Sequence, residues 1–533
     1  MSSQDSNSSS SPSSARKIAD PVLRNALHYT ISAKEYKTLH QWLITRSPPA
    51  ARRRAPTPTK YASLVQTNDD YNGAAIRASL RVFIASQTGL EIWELMKTKL
   101  LSRGKLQKAR PKSSLSRNTN LRLSLSLSLI LLLHRILFRF FSRLRSNLLT
   151  KDAAPFRQRN PRISRSLTSR LAPAIGASVA GFALGVYPGD QLRITIAIYV
   201  ATRSLEFAYS ALKEDGWFRK KPWWWGSWLL MPLATGQLLH AFVFDRDCFP
   251  TAYGDFILDH TPNYVQRRPP NYPASVDWPS TNTIVDSLAE MSRLNWPPFT
   301  SPILFPLAQT TLPPSLTSLS PITSPAHPSH TSLSCAMLHP STPSCTTTFL
   351  HYILTAFPAL TKFFTAYYAL FSLAKYKKFL TSPTGELNAL AKRILRTSAF
   401  LTGAIGTSWG SICLFQYLFP RTFLPSARWI LGGFLGGLWG FVDRKGGRGH
   451  FLYSTRMSID SLWKVGVKRG FWRGFDGGDV AVFAAGLAVL NVVYEKRRGF
   501  MDGGVGKGVG WLRGEELLGH GGGEDVKGKE KGG

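Results

Sequence analysis

The chain of 533 residues carries 66 Lys and Arg against 31 Asp and Glu, a net charge of +35, yet only 18% of its residues are charged. An ordinary soluble protein has about 25%, and a disordered polyelectrolyte would have more charge without the 12% aromatics and 15 Trp present here. The four cysteines, Cys248, Cys335, Cys345 and Cys413, form no CxxC pair, which excludes a disulfide-stapled secreted scaffold.

In chain order, residues 1–70 read as a disordered polar tail. The first fifty are Ser-rich and hold no continuous apolar stretch of the kind a secretory signal needs. The spacing then predicts a helix from Ala74 to about Met96, amphipathic because it carries Arg77, Arg81, Glu91 and Glu94. A basic segment follows: Lys97 to Arg170 contains 19 Lys and Arg and one acid, Asp152, about half the excess charge of the chain. Its Leu/Ser-alternating run is treated as a basic low-complexity insert over residues 102–165. The run suits a membrane-surface helix, with Arg135, Arg139, Arg143 and Arg145 at about helical spacing. It suits an insertion of no structural consequence equally well.

Leu171 to Tyr187 is Gly/Ala-rich, with Gly181 and Gly185 forming a GxxxG of the type that lets membrane helices approach closely. Ile194 to Leu212 is an apolar run of about spanning length, interrupted by Arg203 and Glu206. A basic aromatic turn leads to a third run, Trp228 to Phe244, and the tryptophans at 223–225 and 228 fit an interfacial belt.

Residues 246–348 form a Pro-rich Cys/His linker. The stretch from Asp245 to Thr348 holds 17 of the 34 prolines, which excludes a series of regular helices. One amphipathic helix is predicted at Thr283 to Leu294. The linker also holds His327, His330, Cys335, His339 and Cys345, zinc-competent types in a short span. Their spacing matches no familiar finger or ribbon, so loop packing is preferred over metal binding and no cofactor is expected. Apolar runs resume at Phe349 to Phe379, Ile394 to Phe419, Trp429 to Val442, Phe451 to Val467 and Asp479 to Tyr494, before a Gly/Lys/Glu-rich tail, 499–533, read as disordered. No Ser-His-Asp, HExxH or paired-carboxylate pattern stands out, so no enzyme is expected.

The two halves echo one another. Residues 76–83 (IRASLRVF) resemble 393–400 (RILRTSAF), 181–185 resemble 432–440, and 201–219 (ATRSLEFAYSALKEDGWFR) resemble 454–473 (STRMSIDSLWKVGVKRGFWR). The expected fold is therefore all-α and integral to a membrane: two four-helix Gly-rich repeats, 71–245 and 349–498, joined by the linker, with an extra helix opening the second. In the third helix of each repeat, Arg203 and Glu206 are three residues apart and Arg456 and Asp460 four apart, so each opposite-charge pair shares one face. A charge within a bilayer costs roughly 2.5–3.5 kcal/mol and therefore faces protein or water. Pairing that binds helices together is preferred here over a polar groove for substrate. Gly181, Gly185, Gly432, Gly436 and Gly440 are read as helix-packing positions. A phosphate-cradling loop at Gly432 to Gly440 is not expected, because no Lys-Ser/Thr follows and no strand precedes it.

The Gly-rich second helix and Arg-bearing third helix of this repeat resemble the four-helix unit of the mitochondrial TIM translocase superfamily, which includes peroxisomal membrane protein 4. The linker string RPPNYPASVDWPSTNTIVDSLAEMSRLNWPPF from Arg268, with PITSPAHPSH and LHPSTPSC, resembles fungal members of the transmembrane protein 135 family. That resemblance implies a non-enzymatic multi-pass protein of a peroxisomal or mitochondrial membrane, concerned with organelle dynamics or lipid handling. Its implied partners are the lipid bilayer and other membrane proteins. A transport or translocation component of the TIM superfamily is the alternative, and a basic nucleic-acid-binding protein a second. Nucleic acid is not expected as a partner, because the basic segment lacks a recognisable module and interleaved stacking aromatics. Basic clusters such as Arg219 to Lys221, Lys468 to Arg473 and Lys496 to Arg498 instead border apolar runs, where Lys/Arg loops set membrane orientation.

Overall fold

The computed structural model describes residues 29–49, 52, 55–65, 71–101, 119–218, 220–273, 275, 277–306, 312–373, 380–501 and 503–515. Among them the chain is all-helical, with one isolated antiparallel bridge between Pro298 and Ser332. The principal helices are α1 (Tyr71–Leu101), α2 (Thr119–Leu149), α3 (Ala172–Ser178, continued by a 3-10 segment Val179–Val186), α4 (Gln191–Glu214), α5 (Leu230–Phe244), α6 (Thr281–Arg293), α7 (Leu333–Leu338), α8 (Cys345–Leu373), α9 (Pro383–Leu418), α10 (Arg428–Gly437, continued by Leu438–Phe441), α11 (Arg448–Lys468), α12 (Gly478–Arg497) and α13 (Gly503–Arg513). Among the described residues, four helical segments are long and apolar enough to cross a membrane: α2, Ser227–Phe244, α9 and α12. A fifth candidate is the pair Pro161–Thr168 and Ala172–Val186, bent by 86°.

Local sequence sets where these helices stop and start. Asp190 caps α4, its carboxylate accepting from the Arg193 N–H at 3.0 Å. Ser280 caps α6 in the same way through the Thr283 N–H at 3.1 Å. The ends of α4 and α11 are alike. Gly216 and Gly470 take φ of +84° and +74° just past the last turn. The N–H of Trp217 reaches Leu212 O at 3.3 Å and that of Phe471 reaches Gly466 O at 2.8 Å, closing a Schellman turn at both helices.

The chain divides into two compact units, Met1–Arg219 with Phe475–Gly533, and Lys220–Gly474. This division exchanges the last helix of each sequence half: α12 lies in the unit with residues 71–214, and α5 lies in the unit with residues 383–468.

In the first unit α2 packs along α1, α3 and the 3-10 segment after it, and α12 packs on α3, that segment and α4. Ile130, Leu184, Ala197, Val480, Phe483 and Leu487 form a common apolar core. The Leu/Ser run is therefore a helix with a packed face, in which Leu123, Ser124, Ser126, Ile130, Leu131 and His134 are buried. Only residues 102–118 of the expected insert lie outside the described residues. Two expected tails also begin differently. Residues 33–39 and 58–65 are helical, and Tyr36 stacks on Tyr61 with centroids 3.9 Å apart. At the other end α13 is helical despite its five glycines, because Arg513 is drawn into the unit by Asn491 and Glu495; residues 516–533 lie outside the described residues.

In the second unit α5 packs on α10 and α11, α9 on α10, and α8 on α9. The Pro-rich segment is more than a connector. It contains helix Thr251–Asp259, α6 at the predicted place and α7. Ile284, Leu288, Met291, Leu316, Ile322, Met337 and Leu338 are buried in one core with Leu238, Phe242, Tyr352, Trp409 and Trp429. The prolines confine its helices to short pieces, and the apolar residues between them still fold onto the helices.

Candidate functional site

The most concentrated chemistry in the second unit lies where α7, the turn after it, the start of α8 and the middle of α9 converge. Cys335 sits in α7, and His339 follows one helical turn later, its N–H donating to Cys335 O at 3.0 Å. Pro340 and Pro343 then turn the chain. Ser344 Oγ accepts from the Thr347 N–H at 3.3 Å, capping α8 and placing Cys345 in its first turn. Cys413 is contributed by α9 from 68 residues further along the chain. Cys335 Sγ lies 3.8 Å from Cys345 Sγ and 3.7 Å from Cys413 Sγ, and Cys413 Sγ lies 3.5 Å from His339 Nε2. All four donor atoms fall within 4.8 Å of one another.

The sulfurs are well beyond the roughly 2.05 Å of a disulfide, and all four cysteines of the chain are free thiols. His339 donates from Nδ1 to Thr342 O at 2.8 Å, which turns Nε2 toward the sulfurs. Burial alone would lower the His339 pKa, but the Cys335 and Cys345 sulfurs outweigh it and push the value up to about 10. The Cys345 thiol is pulled far down by hydrogen bonds from Cys335 and Cys413 against the opposing effect of burial, with His339 adding to the pull. The surroundings are aromatic: Tyr264 is stacked on Trp409, centroids 6.3 Å apart, with Tyr352 beside it.

Three of the five linker residues singled out in sequence thus come together: Cys335, His339 and Cys345. His327 and His330 do not. His327 is exposed and engages Ser329 Oγ at 2.7 Å through Nδ1. His330 is buried against His339 and donates from Nε2 to the His339 carbonyl at 3.2 Å, so it supports the backbone of the cluster. Cys413 was missed because a lone cysteine in an apolar helix has no spacing to announce it.

The Arg203–Glu206 pair forms within one helix turn. Arg203 Nη1 meets Glu206 Oε2 at 2.5 Å, and the Arg203 guanidinium lies over Phe207, 4.7 Å from its ring centre. Asp460 takes Lys464 Nζ at 2.8 Å, one turn onward from it, while Arg456 lies one turn before it. A Cβ built on Gly181 would lie 2.8 Å from Ala484 Cα, whereas Gly185 has only Val480 Cγ2 at 3.9 Å. Gly432 and Gly436 face Ser411 and Ser408 of α9, and Gly440 faces Met231 and Phe451. A mainly apolar cavity of about 60 Å³ between α5, helix Thr251–Asp259 and α9 is lined by residues such as Leu238, Phe242, Tyr253 and Ile405.

No family model, curated protein or solved structure matches the chain.

Proposed function

We propose that the chain is a non-enzymatic multi-pass protein of a mitochondrial or peroxisomal membrane, of the transmembrane protein 135 type, acting in organelle dynamics or lipid handling. The observation that carries this reading is the set of four helices of spanning length and composition, a set that also leaves apolar side chains outward. On α2 these are Leu125, Leu133, Ile136 and Phe140; on α5 Leu233; on α9 Leu395, Leu414 and Tyr417; and on α12 Val482. In water such faces are the patches a monomer avoids. In a bilayer they are the lipid surface. Trp217, Trp223, Trp224 and Trp225 are exposed beside Lys220 and Lys221, the aromatic and basic mixture that suits a membrane interface. The linker strings quoted above support the family and organelle part of the reading.

Alkaline carbonate extraction of the full-length protein, followed by fractionation against mitochondrial and peroxisomal markers, tests this reading. The protein is expected in the carbonate-resistant pellet and with one of those organelles. Complete release into the supernatant would overturn the membrane assignment and favour the basic soluble alternative.

A further inference from the structure

We propose that Cys335, His339, Cys345 and Cys413 bind one zinc ion in a closed structural site that fastens the Pro-rich segment to helix α9.

The geometry of the donors is the first argument. Zinc bonds thiolate sulfur at about 2.3 Å and imidazole nitrogen at about 2.0–2.1 Å, in a tetrahedron. The edges of such a tetrahedron are about 3.8 Å between sulfurs and about 3.6 Å between sulfur and nitrogen. Two of the three sulfur pairs here are 3.8 and 3.7 Å apart and one sulfur–nitrogen pair 3.5 Å, and no two of the four donor atoms are more than 4.8 Å apart. Side chains packed only to exclude water have no reason to gather four donor atoms so closely, three of the distances between them at tetrahedral length.

The support around the donors is the second. A metal-binding histidine is normally fixed by a hydrogen bond from its other ring nitrogen to a carbonyl or carboxylate. His339 has that bond, from Nδ1 to Thr342 O at 2.8 Å. The carbonyl of His339 is in turn held by His330 Nε2, and that of Leu338 by Gln266 Nε2 at 2.9 Å. The backbone that carries the histidine is thus braced on both sides.

Ligand type selects the ion. Three thiolates and one imidazole are soft to borderline donors, which disfavours calcium and magnesium and suits zinc. Four protein ligands leave no open position for water or substrate, so the role is structural and the site performs no hydrolysis. Three ligands lie within eleven residues of the linker and the fourth lies on α9, so the ion cross-links two parts of the fold that are distant in sequence. Binding releases the thiol protons and contributes directly to folding, because the ligands are brought together only in the folded chain.

The test uses full-length protein purified in detergent, reduced and without chelator, with metals measured by plasma mass spectrometry. One zinc per chain is expected. Cys413→Ser should lose it, and His327→Ala should keep it. If Cys413→Ser fails to accumulate, wild-type protein serves. Titration with an organomercurial thiol reagent should release the zinc as the thiols are blocked, and cobalt(II) exchanged into the site should give the intense visible bands of a tetrahedral thiolate complex. Three results would overturn the proposal: purified protein with no zinc and with Cys335, Cys345 and Cys413 all open to alkylation, a disulfide joining any two of those three, or zinc retained in full by Cys413→Ser.

Discussion

Arg203 and Glu206 show how a single pair of residues separates two readings of helix α4. Glu206 is only 8% exposed and Arg203 23%, and their charged atoms meet at 2.5 Å within one helix turn. Removing one partner of a buried pair leaves an uncompensated charge and costs about 3–5 kcal/mol, whereas replacing both by apolar residues is often neutral. Arg203→Leu is therefore expected to lower the steady-state level and melting temperature of the protein, and the double change Arg203→Leu with Glu206→Leu to restore both. A groove that used Arg203 to bind substrate would behave differently: Arg203→Leu would keep the level and lose function. The i, i+3 spacing made this pair legible. Asp460 was less so, because Arg456 and Lys464 lie one turn to either side, and the pattern alone does not reveal that Lys464 takes it at 2.8 Å. The glycines were half legible for a related reason. Gly432 and Gly436 were read as one packing stripe, and they do face α9. Their neighbours form a second stripe: Cβ atoms on Gly433 and Gly437 would run into Thr235, Gly236 and Pro232 of α5, leaving α10 wedged between two helices.

Helix α2 is the element that periodicity least revealed. Leu/Ser alternation has the period of a strand, and the basic surroundings resemble a low-complexity insertion. What makes the segment a packed helix is the size of serine. Ser124 and Ser126 are buried, Ser126 Oγ donates to Ala183 O at 3.1 Å and Ser128 Oγ to Ser79 O at 2.8 Å, so that small side chains bring α2 close to its neighbours. His134, further along the same helix, accepts from Asn491 Nδ2 at 3.0 Å, and Asn491 also donates to Ser178 Oγ at 3.0 Å. Within the first unit α2 packs on α1 and on residues 172–186, and within the second α9 packs on α8 and on residues 428–441. Deleting residues 119–149 is accordingly expected to unfold the first unit, giving rapid proteolysis of peptides from 71–214 and an aggregated profile in detergent. A deletion that left a monodisperse, protease-resistant protein would return the segment to the status of an insertion.

At the scale of the whole chain, the order of helices in sequence is not the order of the compact units, because the two final helices are exchanged. Apolar periodicity identifies α5 and α12 as helices but carries no information about which neighbours cover them, so each was grouped with the run before it. In the first unit α12 supplies what α4 lacks. Arg193 is held by both oxygens of Asp479, at 2.5 and 3.0 Å, and Gly486 brings α12 so near that an added Cβ would lie 3.0 Å from Ala201 Cα. Phe207 is buried with Val493, Tyr494 and Val509. A chain ending at residue 474 would expose these surfaces of α3 and α4 and take Asp479 from Arg193, while the segment 220–474 keeps every helix of its own unit. Limited proteolysis with mass spectrometry is therefore expected to show early cleavage within 119–214 of the truncated protein and unchanged protection of 220–474. Co-expression of residues 475–533 as a separate piece should restore the first set of peptides, since the missing contacts are non-covalent. Equal protection of 119–214 with and without that piece would mean that residues 71–214 close their own core. The grouping by sequence half would then be the correct one.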